Sequence, residues 1–343
     1  RFAHKCCRES DEICIKGWVM RIVISEDNNK LYRSELLAFD PSMEIIALNP
    51  LDSRDPSWEA VPESDALFMC YQFLFAARDH PEIHDALLTL SKRMKFIQSG
   101  FAGMDSPILQ AVLKIENIQI ANASSVYAIP IAHYVFSQIL RWNKRVDQHI
   151  EFQQSKHWVP IAGDGELTDK TLVVLGYGGI GKQVAKLGKA FGMRVTGIKR
   201  NPANDEYADE VLGLDQFEEL LPLTDYLVLA LPDSAQTRDV INADVLKKLN
   251  NSAMLINVGR GTAINEPDLA DALNSEEISA AALDTTKNEP LENSSSLWTA
   301  KNCFISAHDS AHSLKSLIRA FELFFQNIKN IQNDQPIKNL YSE

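Results

Sequence analysis

From Met20 onward, short runs of β-branched and aliphatic residues alternate with longer stretches in which apolar positions recur every three or four residues. The runs MRIVIS, MEIIALN, DALFMC, KFIQSG and IQIAN read as strands separated by amphipathic segments. A second series follows the same pattern, with TLVVLG, MRVTGIK, YLVLALP, AMLINV, AALD and CFIS as strands and helices between them, for example Asp268 to Asn274. Such alternation implies parallel sheets with helices on their faces, so two successive α/β units are predicted. A helical segment, Val126 to Val146, separates the two series. The tail from Leu314 to Ile331 is amphipathic, with Leu314, Leu317, Ile318, Phe321, Phe324, Ile328 and Ile331 on one face. An apolar stripe at that spacing predicts core packing, with the tail docking on a neighbouring domain.

Length fits this picture, because 343 residues exceed what a single hydrophobic core usually serves. A hydrophobic fraction of 45% and a charged fraction of 23% are those of a globular protein rather than a disordered or coiled-coil chain. Thirty-four Lys and Arg against 46 Asp and Glu leave a net charge of −12, with no long basic run to meet a phosphate backbone, so nucleic acid is not an expected partner. The apolar segment Val126 to Leu140 is interrupted by Pro130, His133, Ser137 and Gln138, which argues against a membrane span. Five cysteines, Cys6, Cys7, Cys14, Cys70 and Cys303, lack C-x-x-C spacing and indicate neither a disulfide framework nor a zinc site, so the cytoplasm is the expected location. Residues 1–19 carry scattered charges without the apolar centre of a signal peptide; they are read as an N-terminal extension, with Met20 opening the folded part.

Strand TLVVLG runs into Gly176, Tyr177, Gly178, Gly179, Ile180 and Gly181 and then into the helical KQVAKLGKAF. Strand, glycine turn and helix in that order are what a dinucleotide site requires. Gly176 permits the tight turn, Gly178 lets the backbone approach a pyrophosphate, and Gly181 allows close packing of helix on strand. Helix N-terminal amides, those of Gly179 and Ile180 among them, attract the negative charge. An NAD site places an acidic residue about 20 positions further on for the ribose hydroxyls. Here the second strand ends instead on Ile198, Lys199 and Arg200, with Lys199 23 positions after Gly176. Cations there suit a 2′-phosphate, which predicts NADP in preference to NAD.

Three later segments each follow a strand and end in ionisable groups: AMLINVGRG with Arg260, AALDTTKNEP with Asp284 and Glu289, and CFISAHDSA with His308. Open α/β sheets collect ligands at strand C-terminal ends. Reduction of a 2-keto acid needs a cation for the carboxylate, a proton donor for the carbonyl oxygen, and a group that keeps the donor protonated near neutral pH. Arg, His and Glu can supply these in turn. The 19-residue separation of Glu289 and His308 is not interpretable by spacing alone.

The combination resembles the D-2-hydroxyacid dehydrogenase family, whose members share a G-x-G-x-x-G turn, an N-V-G-R-G segment, an L-D-x-x-x-x-E-P segment and a late P-H or A-H pair. The likeness runs from about Met20 to the C-terminal helix through LTDKTLVVLGYGGIGKQVAKLGKAFGM, LPDSAQT, LINVGRGTAINEPDLADAL and ALDTTKNEPLENSSSLW, followed by SAH. It implies two Rossmann-like α/β domains. One is a flavodoxin-like substrate domain over residues 20–122, completed by a C-terminal helix in 311–343; the other is a doubly wound dinucleotide-binding domain over 123–310. The active site is expected between them. By the same likeness Arg260 binds the substrate carboxylate and carbonyl, His308 is the general acid/base, and Glu289 hydrogen-bonds His308 and raises its pKa. Asp284 is expected to face the nicotinamide carboxamide, while Pro232, Thr237 and Val258 line the cofactor cleft. Main-chain amides of Ala102 and Gly103, in IQSGFAGMD, are the expected second contact to the carboxylate.

Glyoxylate or hydroxypyruvate reduction and a homodimer through the cofactor domains are further expectations of this likeness. Loops such as Tyr71–Phe75 are expected to set the substrate's side-chain pocket. Two departures stand out: His133 occupies the place of Glu in a family I-A-E pattern, and Ala307 stands where many members have Pro. A different class, a nicotinamide-sensing scaffold resembling the corepressors built on the same fold, is the alternative reading.

Overall fold

The structure, a computed structural model, describes residues 19–162 and 165–341; the predicted extension, with Cys6, Cys7 and Cys14, lies outside the described residues apart from Val19. Chain contacts divide the protein into two units, one running to Val126 and resuming at Leu314, the other spanning Tyr127–Ser313.

The first unit is built on five parallel strands, β1 (Arg21–Ser25), β2 (Glu44–Leu48), β3 (Ser64–Met69), β4 (Met94–Ser99) and β5 (Gln119–Ala121), in the order β2-β1-β3-β4-β5. That is the flavodoxin-like order. Its central strand β3 is buried at all six positions, as expected of a parallel strand covered on both faces. The one acid there, Asp65, accepts from the Arg21 amide (2.9 Å) and from Lys95 Nζ (2.7 Å), which compensates its burial.

The tail forms a helix, Leu314–Gln332, and packs within this unit: Phe321 stacks on Tyr32 at 3.8 Å, and Phe324 on Phe68 at 5.1 Å. Its buried face differs from the predicted stripe. Leu314 and Ile318 are 82% and 45% exposed, while Ser316, Ala320 and Asn327 are buried instead. The polar Asn327 is tolerated because it donates to Gln98 Oε1 (2.8 Å) and accepts from the Lys338 amide (2.8 Å). A second correction concerns Tyr71–Phe75, which is no loop but the start of helix Tyr71–Asp79, anchored by buried Phe73, Leu74, Ala76 and Ala77.

The second unit carries seven parallel strands: β6 (Thr171–Leu175), β7 (Arg194–Ile198), β8 (Glu210–Leu212), β9 (Tyr226–Leu229), β10 (Met254–Asn257), β11 (Ala280–Leu283) and β12 (Cys303–Ile305). Their order, β12-β11-β10-β9-β6-β7-β8, is that of a doubly wound sheet, with the direction of progression reversing between β6 and β9. Alternate residues feed two cores: Leu227 and Leu229 pack with the helices Ala243–Lys248 and Glu266–Asn274, Val228 and Ile256 with Ala128–Asn143 and Gly179–Ala190. Only β8 was absent from the predicted strands; it is a three-residue edge. The helix predicted over Val126–Val146 ends at Asn143, where Arg145 takes a left-handed conformation (φ 54°) and a separate helix, Val146–Gln154, begins. Among the described residues, no helix is long and apolar enough to cross a membrane.

Candidate active site

The glycine turn follows β6, beside the reversal of strand order, where open α/β sheets take ligands. Gly176 has φ +102°, and a Cβ there would lie 2.5 Å from Ala230 O, so backbone and space both exclude a side chain. At Gly181 an added Cβ would lie 2.7 Å from Gly176 O and 3.0 Å from Val174 Cγ1, the close approach of helix to strand that the sequence predicted. Around Gly178 an added Cβ meets nothing within 4 Å, so this glycine leaves open space rather than filling a tight contact. Gly178 precedes helix Gly179–Ala190, whose first intrahelical bond runs from the Lys182 amide to Gly178 O (2.9 Å). The amides of Gly179, Ile180 and Gly181 thus lie ahead of the helical ladder, where an anion is favoured. A pyrophosphate fits this cradle.

Lys199 and Arg200 directly follow β7, Lys199 half-buried and Arg200 exposed. The loop beyond carries an acid, Asp205, but its carboxylate is engaged by Lys182 (2.6 Å), Tyr177 Oη (3.0 Å) and the Tyr207 amide (3.1 Å). After β9, Thr237 Oγ1 donates to Pro232 O (2.7 Å) and accepts from the Ser234 amide (3.0 Å), closing the LPDSAQT turn on itself. Val258, at the end of β10, is 4% exposed.

Asn257 closes β10 fully buried and organises the loop after it: its Oδ1 accepts from the Gly259 amide and its Nδ2 donates to Arg260 O, both at 3.1 Å. Glycines on either side of Arg260 let this loop press against its neighbours. A Cβ at Gly259 would lie 2.6 Å from Leu231 O, and one at Gly261 1.9 Å from the Thr286 carbonyl carbon. Arg260 is thereby brought to the segment that carries Glu289.

His308 Nδ1 lies 2.8 Å from Glu289 Oε2, and Glu289 Oε1 accepts from the Thr286 amide (3.2 Å). Donation through Nδ1 leaves Nε2 as the nitrogen that can exchange a proton with a ligand. The hydrogen bond to Glu289 holds the His308 imidazole above its ordinary pKa; burial opposes this, and the charges of Glu289 and Asp284 outweigh the contrary effect of Arg260. Burial pushes the Glu289 carboxyl up, but the hydrogen bond and charge of His308, with the Thr286 amide and Arg260, bring it below its usual value. Arg260, Thr262, Thr286, Lys287, Glu289 and His308, with Asp233, line a single cavity of about 160 Å³. Guanidinium, imidazole and carboxylate therefore share one small space.

Asp284 closes the β11 end and is 2% exposed. Its carboxylate accepts from Ser306 Oγ, from the amides of Asp309 and Ser310, and from Ser310 Oγ, while its carbonyl accepts from the His308 amide (2.9 Å). This occupation, a tether for the turn bearing His308, was not anticipated by the sequence reading, which set Asp284 toward the nicotinamide. Asn257, Asp233, Thr262 and Lys287 were likewise unassigned, although Asn257 lies inside the quoted LINVGRG motif. Ala102 and Gly103 belong to the first unit, in the half-buried loop after β4. His133 is exposed on helix Ala128–Asn143.

The family model of the D-isomer specific 2-hydroxyacid dehydrogenase, NAD binding domain, matches residues 136–310, half of the chain. The chain belongs to the D-2-hydroxyacid dehydrogenase family. This dehydrogenase is 33% identical over 266 residues to an uncharacterised protein of Corynebacterium melassecola, covering 75% of this chain and 84% of that one. It is 30% identical over 252 residues to the glyoxylate reductase of Aeropyrum pernix, covering 71% and 74% respectively. A crystal structure of a D-isomer specific 2-hydroxyacid dehydrogenase family protein from Aeromonas salmonicida superimposes with a TM-score of 0.78 at 26% identity, covering 94% of this chain and 99% of that one. As a member of this family the chain is an oxidoreductase that acts on a CH–OH group.

Proposed function

We propose that the protein reduces a small 2-keto acid, with glyoxylate and hydroxypyruvate the first candidates, to the D-2-hydroxy acid using NADPH. The observation that carries this reading is the cavity shared by Arg260, Glu289 and His308. Arg260 would pair with the substrate carboxylate, its planar fork matching both oxygens. The amides of Ala102 and Gly103 are the proposed second contact to that carboxylate, which makes residues 20–122 the substrate-binding part. His308, whose charged form its bond to Glu289 favours, would deliver a proton from Nε2 to the carbonyl oxygen. Reduced nicotinamide, when bound, supplies the hydride to the carbonyl carbon. The protein's own contribution is to fix the acid, the cation and the carbonyl relative to one another.

Gly176, Gly178, Gly179, Ile180 and Gly181 would hold the pyrophosphate, with Pro232, Thr237 and Val258 beside the cofactor. Lys199 and Arg200 are the proposed partners of a 2′-phosphate, since Asp205 is committed to Lys182 and Tyr177. We further propose a homodimer in the cytoplasm. Spectrophotometric NADPH oxidation across glyoxylate, hydroxypyruvate, pyruvate and bulkier keto acids tests the activity. Turnover of at least one small keto acid is expected. No turnover of any, with NADPH bound, would favour a nicotinamide-sensing protein instead.

A further inference from the structure

The turn Ser306–Ser310 that carries His308 is held from a direction none of the assigned site residues explains. Tyr134, on helix Ala128–Asn143, places its Oη 2.7 Å from Ser306 Oγ, and Ser306 Oγ lies 2.8 Å from Asp284 Oδ1. A serine hydroxyl has one proton. Because the Asp284 carboxylate takes that proton's hydrogen bond, the Tyr134 phenol must be the donor to Ser306. The order is therefore Tyr134 to Ser306 to Asp284. Asp284 in turn gathers the amides of Asp309 (3.1 Å) and Ser310 (3.1 Å), one and two residues beyond the imidazole, while its carbonyl fixes the His308 amide. His308 itself stands at φ +54°, a conformation a non-glycine residue adopts only when its surroundings enforce it.

We propose that Tyr134, acting through Ser306 and the Asp284 carboxylate, is a positioning residue that aims the His308 imidazole at Glu289. The inference deepens the proposed acid/base role of His308 and rests on it for its catalytic consequence. Tyr134 suits a permanent donor: burial first, with the charges of Asp284 and Asp309, outweighs the Ser306 bond and Arg141 and pushes its phenol up to about 12. It stays protonated throughout the range in which His308 titrates. The charges that shift His308 are those of Glu289, Asp284 and Arg260, and Asp233 and Lys287 line the same cavity. Loosening the turn weakens the short contact to Glu289, which is the main source of the raised imidazole pKa.

The test is an NMR titration of the histidine ring signals in the cofactor-free protein, with the His308 signal assigned by its loss in His308→Asn. Tyr134→Phe and Ser306→Ala should each lower the His308 pKa, by about half a unit or more. Ser306→Thr, which keeps a hydroxyl, should hold it near the wild-type value. Thermal midpoints and NADPH affinity should move little in Tyr134→Phe, which separates positioning from a general loss of fold. In turnover, Tyr134→Phe should lower kcat for keto-acid reduction by several-fold, on the order of tenfold at most, with little change in KM for NADPH. An unchanged His308 pKa in both Tyr134→Phe and Ser306→Ala would overturn the proposal. Should the wild type reduce no keto acid, the functional reading fails while the titration still decides whether Tyr134 positions His308.

Discussion

The proposed acid role of His308 rests first on its contact with Glu289. An isolated imidazole is mostly neutral above its ordinary pKa of about 6.5, but the Glu289 carboxylate at 2.8 Å favours the charged form. In the proposed reaction reduction consumes the protonated imidazole, so kcat/KM for the keto acid should be level at low pH and fall as pH rises through the raised His308 pKa. Oxidation of the hydroxy acid should show the opposite dependence. Glu289→Gln removes the negative charge, so the falling limb should move to lower pH; a limb that stays in place would separate Glu289 from the proton donor. Arg260→Ala should lower kcat/KM for keto acids by about a hundredfold or more, with NADPH affinity retained. These side chains were legible as residues because each stands in a segment that follows a β-strand. Their meeting was not, since nothing in a 19-residue spacing says that Glu289 and His308 touch. Tyr134 and Ser306 were less legible still: a hydroxyl pair formed across 172 residues leaves no local trace.

At the scale of elements, the glycine turn separates space needed by the protein from space left to a ligand. Gly181→Ala forces a Cβ against Gly176 O and Val174, an overpacking that should cost about 1–3 kcal/mol and show as a lower thermal midpoint. Gly178→Ala meets no protein atom and has no left-handed backbone to strain, so it should fold normally yet weaken NADPH binding, by about tenfold. Equal NADPH affinity in Gly178→Ala and wild type would remove the turn from the cofactor site. Strands were the most readable part of the sequence, because buried parallel strands form compact apolar runs such as LVVL and MLIN. β8 escaped because EVL is too short to carry a period. The face of the C-terminal helix was misjudged at its first turn, where Leu314 and Ile318 look apolar in sequence but small Ser316 and Ala320 occupy the buried side.

For the whole molecule, the chain carries two α/β units and a net charge of −12, so the proposed recognition of a small anionic keto acid would depend on a few placed cations rather than on overall charge. Replacing Lys199 and Arg200 together by Ala should cut the proposed preference for NADPH over NADH, by about tenfold or more, and an unchanged ratio would remove these two residues from the 2′-phosphate site. Sedimentation of the full chain should give a dimer; a monomer alone would remove the proposed assembly. The proposed activity depends on His308 acting as the proton donor beside Arg260. Its most direct test is the rate of NADPH oxidation with glyoxylate or hydroxypyruvate by His308→Asn, measured together with NADPH affinity. The expected result is a rate reduced by about 10²–10⁴-fold with cofactor binding intact. A variant that turns over like the wild type would contradict the assignment of the site.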